Sequence, residues 1–277
     1  MLRVGGTAEG NINKGGNMEE IEYLYHYTSI ESLALILKNR TIRLNSLDKM
    51  DDLQEQRSAE IYDFGKFTFV SCWTADPKES IPMWNMYTPL FSGVRIKMKT
   101  RPFVVYNNVP VKRLREWAKK NSGYVAMQEC DESISYIDGE WMIQNGVITP
   151  HAFGDDILCK IEYTNDKQKL EPNITNIKDG KIFIHANSLG KHKNEHWEFQ
   201  EEWRYLLSVF PWAPLREKVN PPMLQYVDLR IDSCAFADME ITCSPKLTVG
   251  NRVILETLIE KYNPNAKIVT SELLGKI

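Results

Sequence analysis

WEFQEEWRYLL, Trp197–Leu207, sets Gln200, Glu201 and Glu202 directly against an apolar run. Extended backbone sends alternate side chains to opposite faces. If the stretch is extended, Trp203, Tyr205, Leu207 and Val209 line one side. Gln200, Glu202, Arg204 and Ser208 line the other, with Leu206 among them. An antiparallel strand with one wet face alternates in this way, and Glu202 with Arg204 is then an ordinary surface ion pair. The competing reading is a carboxylate held where a substrate sits.

Outward from this stretch, the flanking sequence alternates between short strands and a few helices. YLYHYTS, Tyr23–Ser29, is an aromatic-rich strand, and Thr28 with Glu31 has the spacing of a capping box that starts a helix. That helix carries Ile30, Leu33, Ala34 and Leu37 at helical spacing. TIRLNS, KFTFVSCWT and GVRIKMK read as strands. IPMWNMY reads as a short helix capped by Ser80, with Pro82 in its first turn. VVYNNVPV and DILCKIEY are further expected strands, LREWAKK is an expected helix, and a helix is expected over 180–198. VDLRI, MEITCS and AKIVTS are expected strands around a final helix, VGNRVILETLIEKY. Strands and helices mix without a regular βαβ alternation, which predicts an α+β fold rather than a doubly wound sheet.

With 277 residues, 43% of them hydrophobic, the chain can bury a sizeable core, and a net charge of −3 argues against a protein that lives on bulk nucleic-acid phosphate. Five widely spaced cysteines without a C-x-x-C predict reduced thiols and a cytoplasmic location. No apolar run is long enough to span a bilayer, so no membrane partner is expected. Residues 1–19 are rich in Gly and Asn and are expected to be a disordered leader, followed by one domain over 20–277.

His192 and His196 are one helical turn apart, as a zinc pair requires, but HKNEH lacks the glutamate that follows the first histidine in H-E-x-x-H hydrolases. Lys191 and Lys193 also repel a cation, so no metal is expected. Asp51, Asp52 and Glu55 have a spacing that suits a divalent ion and equally well a solvated helix face. There is no G-x-S-x-G, no Walker loop and no G-x-G-x-x-G, and Cys72 reads as a strand-core thiol. What remains is a set of polar and aromatic residues at strand and helix ends: His26 with Tyr27 and Thr28, Arg43, Trp84 with Tyr87, and Gln200 with Glu202.

The order of these elements resembles the bacterial DUF2971 family. LYHYTSIESLALILKNRTIRLNS, MDDLQE, SCWT, PMWNMYTPLFSGVRIKM and HKNEHWEFQEEWRYLL follow one another as that family's motifs do, over about Tyr23 to Tyr205. Two departures stand out: Asp51-Asp52-Leu53 replaces the usual Asn-Asp-Pro, and Gln200 replaces the usual first Glu. DUF2971 is itself similar to the ADP-ribosyltransferase superfamily.

This resemblance implies a split antiparallel-sheet ADP-ribosyltransferase-like fold with peripheral helices, clamping NAD as a substrate. It implies a hydrogen bond from the adenosine ribose to His26, and nicotinamide amide contacts to the backbone around Tyr27 and Thr28. Tyr87, with Trp84 as its rival, is the expected nicotinamide-stacking ring, and Arg43 the expected pyrophosphate partner. Glu202 would be the catalytic carboxylate, with Gln200 positioning the acceptor side chain. The implied activity is ADP-ribosyl transfer to a macromolecular acceptor, protein or nucleic acid, or NAD glycohydrolysis, in a toxin, effector or antiphage setting. The alternative is a catalytically inactive nucleotide- or partner-binding module of the same fold.

Overall fold

A computed structural model describes residues 2–3, 21–60, 64–109, 112, 116, 133–149, 157–178, 181–184, 188–211 and 224–277. Its centre is a nine-stranded sheet: β1 (Tyr23–Ser29), β2 (Thr41–Ser46), β3 (Thr68–Thr74), β4 (Gly93–Lys99), β5 (Leu158–Lys160), β6 (Glu202–Ser208), β7 (Tyr226–Arg230), β8 (Glu240–Cys243) and β9 (Lys267–Val269). The helices named below are α1 (Ile30–Asn39), α2 (Ile81–Tyr87), α3 (Ser233–Ala237) and α4 (Val249–Tyr262). The strand order is β7-β2-β3-β1-β4-β8-β9, and β6 pairs with β3 and with β5. Every ladder of this sheet is antiparallel except β8–β9, so the fold is α+β with a large, mostly antiparallel sheet.

The register around β3 shapes everything that follows. On one edge β6 pairs with β3 along its whole length, from Glu202 opposite Thr74 to Ser208 opposite Thr68. The other edge is shared. β2 pairs only at Phe69 and Val70, and β1 only at Thr74. Among the described residues, Ser71, Cys72 and Trp73 therefore have no strand partner on that edge, and β1 and β2 part there.

One face of the sheet carries the main core, built from Leu24, Val94, Ile96, Ile241, Leu44 and their neighbours. Helix α1 closes over it because Ile30, Leu33, Ile36 and Leu37 fall on one side of a ten-residue helix and are buried. Helices α3 and α4 add Phe236, Leu255 and Ile259 to the same core. On the other face, Leu206 and Val70 join a second cluster with Leu47 and Phe64, while α2 packs Met83 and Trp84 against Tyr27.

The alternating stretches form strands as expected, and the final helix spans Val249–Tyr262. Three local readings are corrected. Helix α1 is capped by Ser29, whose side chain accepts from Ser32 N at 3.1 Å, not by Thr28, which is still within β1 and buried. The helix expected over 180–198 is instead strand Lys181–Ile184, the two-residue strand His192–Lys193 and a 3-10 turn at Glu195–Gln200. DILCKIEY is broken at Ile161, because β5 follows β6 while Glu162–Tyr163 leaves to pair with His192–Lys193. The expected helix at LREWAKK lies outside the described residues, apart from position 116, and so does the leader, apart from Leu2–Arg3. Among the described residues no helix is long and apolar enough to cross a membrane.

Candidate functional site

Where β1 and β2 part along β3, a cleft of about 390 Å³ opens, lined among others by His26, Tyr27, Thr28, Arg43, Tyr87, Lys193, Glu202 and Arg204. A smaller cavity of about 60 Å³ continues beneath it, walled by Tyr25, Trp73, Met83, Tyr87, Gln200 and Glu202. Six of the eight residues selected from sequence line the main cleft, and Gln200 lines the smaller one.

His26 fills the gap in the ladder. Its Nδ1 lies 2.7 Å from Cys72 O, on the stretch of β3 that neither β1 nor β2 pairs. A carbonyl only accepts, so Nδ1 carries the proton and Nε2 is left as an acceptor. Burial lowers the ring's pKa below its ordinary value, which outweighs the Cys72 hydrogen bond and keeps the ring neutral at pH 7. The ring also lies 5.0 Å from that of Trp73, which fixes its plane.

Tyr27 and Thr28 follow on β1. The Tyr27 hydroxyl accepts from Ser80 N at 3.0 Å, tying the start of α2 to the sheet. Arg43 is committed elsewhere: Nε and an NH2 group donate to the two oxygens of Asp228 at 2.9 and 3.0 Å, and the guanidinium lies 3.5 Å over the Tyr226 ring. It lines the cleft as one half of a bidentate pair.

The two aromatics of α2 separate cleanly. Trp84 is fully buried, edge-on to Tyr27, with Nε1 donating to Glu79 at 2.9 Å, and it lines neither cavity. Tyr87, three residues on, lines both cavities, and its hydroxyl accepts from Gln200 Nε2 at 2.5 Å.

Glu202 opens β6, while Gln200 closes the preceding 3-10 turn and Glu201 sits between them at φ 43°. The extended reading of Gln200 is thus corrected. Gln200 and Glu202 come to the same side because the left-handed residue turns the chain, not because a strand alternates. Glu201 is exposed, as a charge at the strand's start requires.

Glu202 is buried at 3% exposure, and its surroundings explain how a carboxylate survives there. Arg204 Nε donates to Oε1 at 2.5 Å, and Arg204 NH2 and Lys193 Nζ reach Oε2 at 3.1 Å each. Glu55 supplies a second carboxylate, 2.8 Å from Arg204 and 3.1 Å from Lys193. Two cations thus balance two carboxylates, which is what burial of any one of them demands. Burial pushes the Glu202 carboxyl up, but Arg204 and Lys193 outweigh it and hold the group at about 2. Glu202 is therefore ionised across the physiological range. The Cys72 thiol, within hydrogen-bonding reach of Glu202, is pushed well up by burial and stays protonated.

Lys193, Glu55 and Tyr163 complete the site and were not selected from sequence. Lys193 Nζ also donates to Gln200 Oε1 at 2.8 Å and lies 4.7 Å over the Trp197 ring. Tyr163 accepts from Glu202 N at 2.8 Å. Glu55 is buried at 3% exposure and belongs to no solvated helix face. The burial of Arg204, which demands charge partners, is what draws Glu55 and Lys193 into the site, and that burial is seen only in the structure.

The histidine pair does not converge: His192 pairs with Glu162 at 3.4 Å, and His196 is exposed on the 3-10 turn. Among the described residues no group of three His, Cys, Asp or Glu side chains is placed to hold a metal ion. The chain matches no protein-family model, no curated protein and no solved structure.

Proposed function

We propose that the cleft binds NAD and that the protein cleaves its nicotinamide–ribose bond, transferring ADP-ribose to a macromolecular acceptor or to water. The single observation that carries this reading is the convergence of Glu202, Gln200, Tyr87 and His26 on two adjoining cavities at the parting of the sheet. An ADP-ribosyltransferase-like fold is part of the same proposal. It is supported by the way β1 and β2 diverge from a shared edge of β3.

The residues fit the chemistry. Breaking the glycosidic bond builds positive charge on the ribose, and a carboxylate locked in its ionised form stabilises that charge. Neutral His26, with Nε2 as acceptor, suits a sugar hydroxyl that donates. Tyr87 offers a ring face and a hydroxyl already tied to Gln200, so both are pre-positioned. A cleft of about 390 Å³ lies in the range of small-molecule sites. Arg43 would have to give up Asp228 to meet a pyrophosphate, which makes it the weakest of the assigned contacts.

A second reading, nucleotide binding without turnover, is favoured by one feature: both Glu202 oxygens already have cationic partners. Incubation of the purified protein with NAD, following free nicotinamide beside the Glu202→Gln variant, separates the two. Release that disappears in the variant supports cleavage. A rise in melting temperature with NAD but no release supports the binding module, and neither signal rejects both.

A further inference from the structure

Helix α2 is only seven residues long, far below the length at which a helix holds itself in water, so its placement depends on what it touches. Its N-terminal side is bound by Ser80, whose hydroxyl caps Met83 N at 3.4 Å, and by the Tyr27 hydroxyl on Ser80 N. A further set of contacts comes from the other end of the chain and meets on Glu79.

The Glu79 carboxylate accepts three hydrogen bonds from two separate segments. Oε2 receives Trp84 Nε1 at 2.9 Å and the Ser271 hydroxyl at 2.6 Å, and Oε1 receives Glu272 N at 2.7 Å. The exchange is reciprocal, because Glu79 N donates to Glu272 Oε1 at 3.1 Å. Ser271 is buried, and its hydroxyl also accepts from Leu273 N at 3.0 Å, closing a turn. Leu273 then packs on the cluster of Tyr27, Met83 and Trp84. One carboxylate thus joins the C-terminal turn, the indole at the middle of α2 and the loop before it. Tyr87 is one helical turn beyond that indole and reaches Gln200 at the cleft.

We propose that Glu79 is a positioning residue for the cleft, and that through it the C-terminal turn Ser271–Leu273 braces α2 so that Tyr87 meets Gln200. The link to ligand binding rests on the NAD reading above, whereas the bracing itself does not.

Hydrogen–deuterium exchange by mass spectrometry reads the bracing without any ligand. Glu79→Gln replaces one acceptor oxygen with an amide donor that faces either Trp84 Nε1 or Glu272 N, and Ser271→Ala removes the hydroxyl's two bonds, to Glu79 and from Leu273 N, at a point away from both cavities. Both variants are expected to speed exchange at least fivefold in peptides covering Ile81–Tyr87, with β4 peptides unchanged. A freed C-terminal turn beside an unchanged α2 overturns the proposal, as does uniform acceleration across the sheet.

Titration with NAD, read by melting temperature, tests the link to the cleft. Glu79→Gln is expected to weaken binding about tenfold in the wild-type background, but not beyond the loss already caused by Tyr87→Ala. Additive losses in the double variant overturn positioning through Tyr87. A wild-type protein that shows no response to NAD, with α2 exchange accelerated as expected, rejects the NAD reading and leaves the bracing supported.

Discussion

Arg204 and Glu202 lie two residues apart on the same side of β6, and the guanidinium grips the carboxylate with two bonds, Nε to Oε1 at 2.5 Å and NH2 to Oε2 at 3.1 Å. Arg204 has no exposed surface, and its remaining bonds go to Glu55 and to Gly190 O. This pair holds the end of the strand and the cleft's carboxylate in one geometry. Arg204→Met would leave Glu55 and Glu202 sharing Lys193 as their only cation in the cluster. The expected loss is about 3–5 kcal/mol of unfolding free energy, the scale of breaking a buried pair from one side. Urea denaturation checks it, and a loss under about 1 kcal/mol would show that the charges relax without Arg204.

The same pair makes stability depend on acid. In the fold Glu202 is held at about 2, below its ordinary 4.5. A depressed carboxylate contributes its full stabilisation above pH 4.5 and loses it as the pH falls from there through about 2. The contribution is on the order of 3 kcal/mol. Urea midpoints of wild type and Glu202→Gln should therefore differ by a constant amount from pH 7 to 5. The difference should shrink steadily below 4.5. A difference that stays constant down to pH 3 would mean that the carboxylate titrates normally.

For turnover, Glu202→Gln is expected to lower nicotinamide release by about 10²–10³, the cost of losing one electrostatic group in the transition state. His26→Ala is expected to act on binding instead, by about 1–3 kcal/mol, because it removes a buried hydrogen-bonding group. Isothermal calorimetry beside initial rates distinguishes the two. If His26→Ala lowers stability and leaves NAD affinity unchanged, its role is confined to the Cys72 gap in the sheet.

The neighbouring aromatics of α2 should part in the same experiments. Trp84→Ala empties a fully buried site and is expected to cost about 3–5 kcal/mol of stability. Tyr87→Ala, at a partly buried wall of the cleft, should cost less stability and more ligand affinity. Thermal melts with and without NAD report both quantities at once. Loss of the NAD response in a still-folded Trp84 variant, with Tyr87→Ala unaffected, would reverse the assignment.

Much of the sheet was legible because its strands alternate in residue type, although only β2 and β7 bury one set of alternate residues and β1, β4 and β6 are largely buried on both faces. Glu202 and Arg204 were legible as a pair for the same reason. Lys193 and Glu55 were not, because nothing local marks them: Lys193 lies among polar residues, and Glu55 sits 149 residues from the arginine it meets. Trp84 and Tyr87 have the same spacing relation to a core as to a site. Only the three-dimensional direction of α2 decides which ring reaches the cleft. The segment before Glu202 misled for a backbone reason: its polar run suited a helix, while Glu162–Tyr163 draws His192–Lys193 into a two-stranded ladder.

Glu201 offers the last test, because its backbone decides whether Gln200 and Glu202 face one site. Its φ of 43° lies in the left-handed region, where a residue with a Cβ is strained by about 1–2 kcal/mol. The conformation is held from both sides: Glu201 N donates to Glu198 O at 3.1 Å, Glu201 O accepts from the Thr74 hydroxyl at 3.3 Å, and Glu202 N is bound by Tyr163. Glu201→Gly relieves the strain but adds freedom to the unfolded chain, so it is expected to change stability by less than about 1 kcal/mol. Glu201→Val places a β-branched side chain at the same φ and should cost more than the glycine variant. It should also uncouple Gln200 from Glu202, so that nicotinamide release falls in the valine variant and persists in the glycine one. Equal activity in both variants would show that the site tolerates an extended turn, and that the shared orientation of Gln200 and Glu202 does not depend on residue 201.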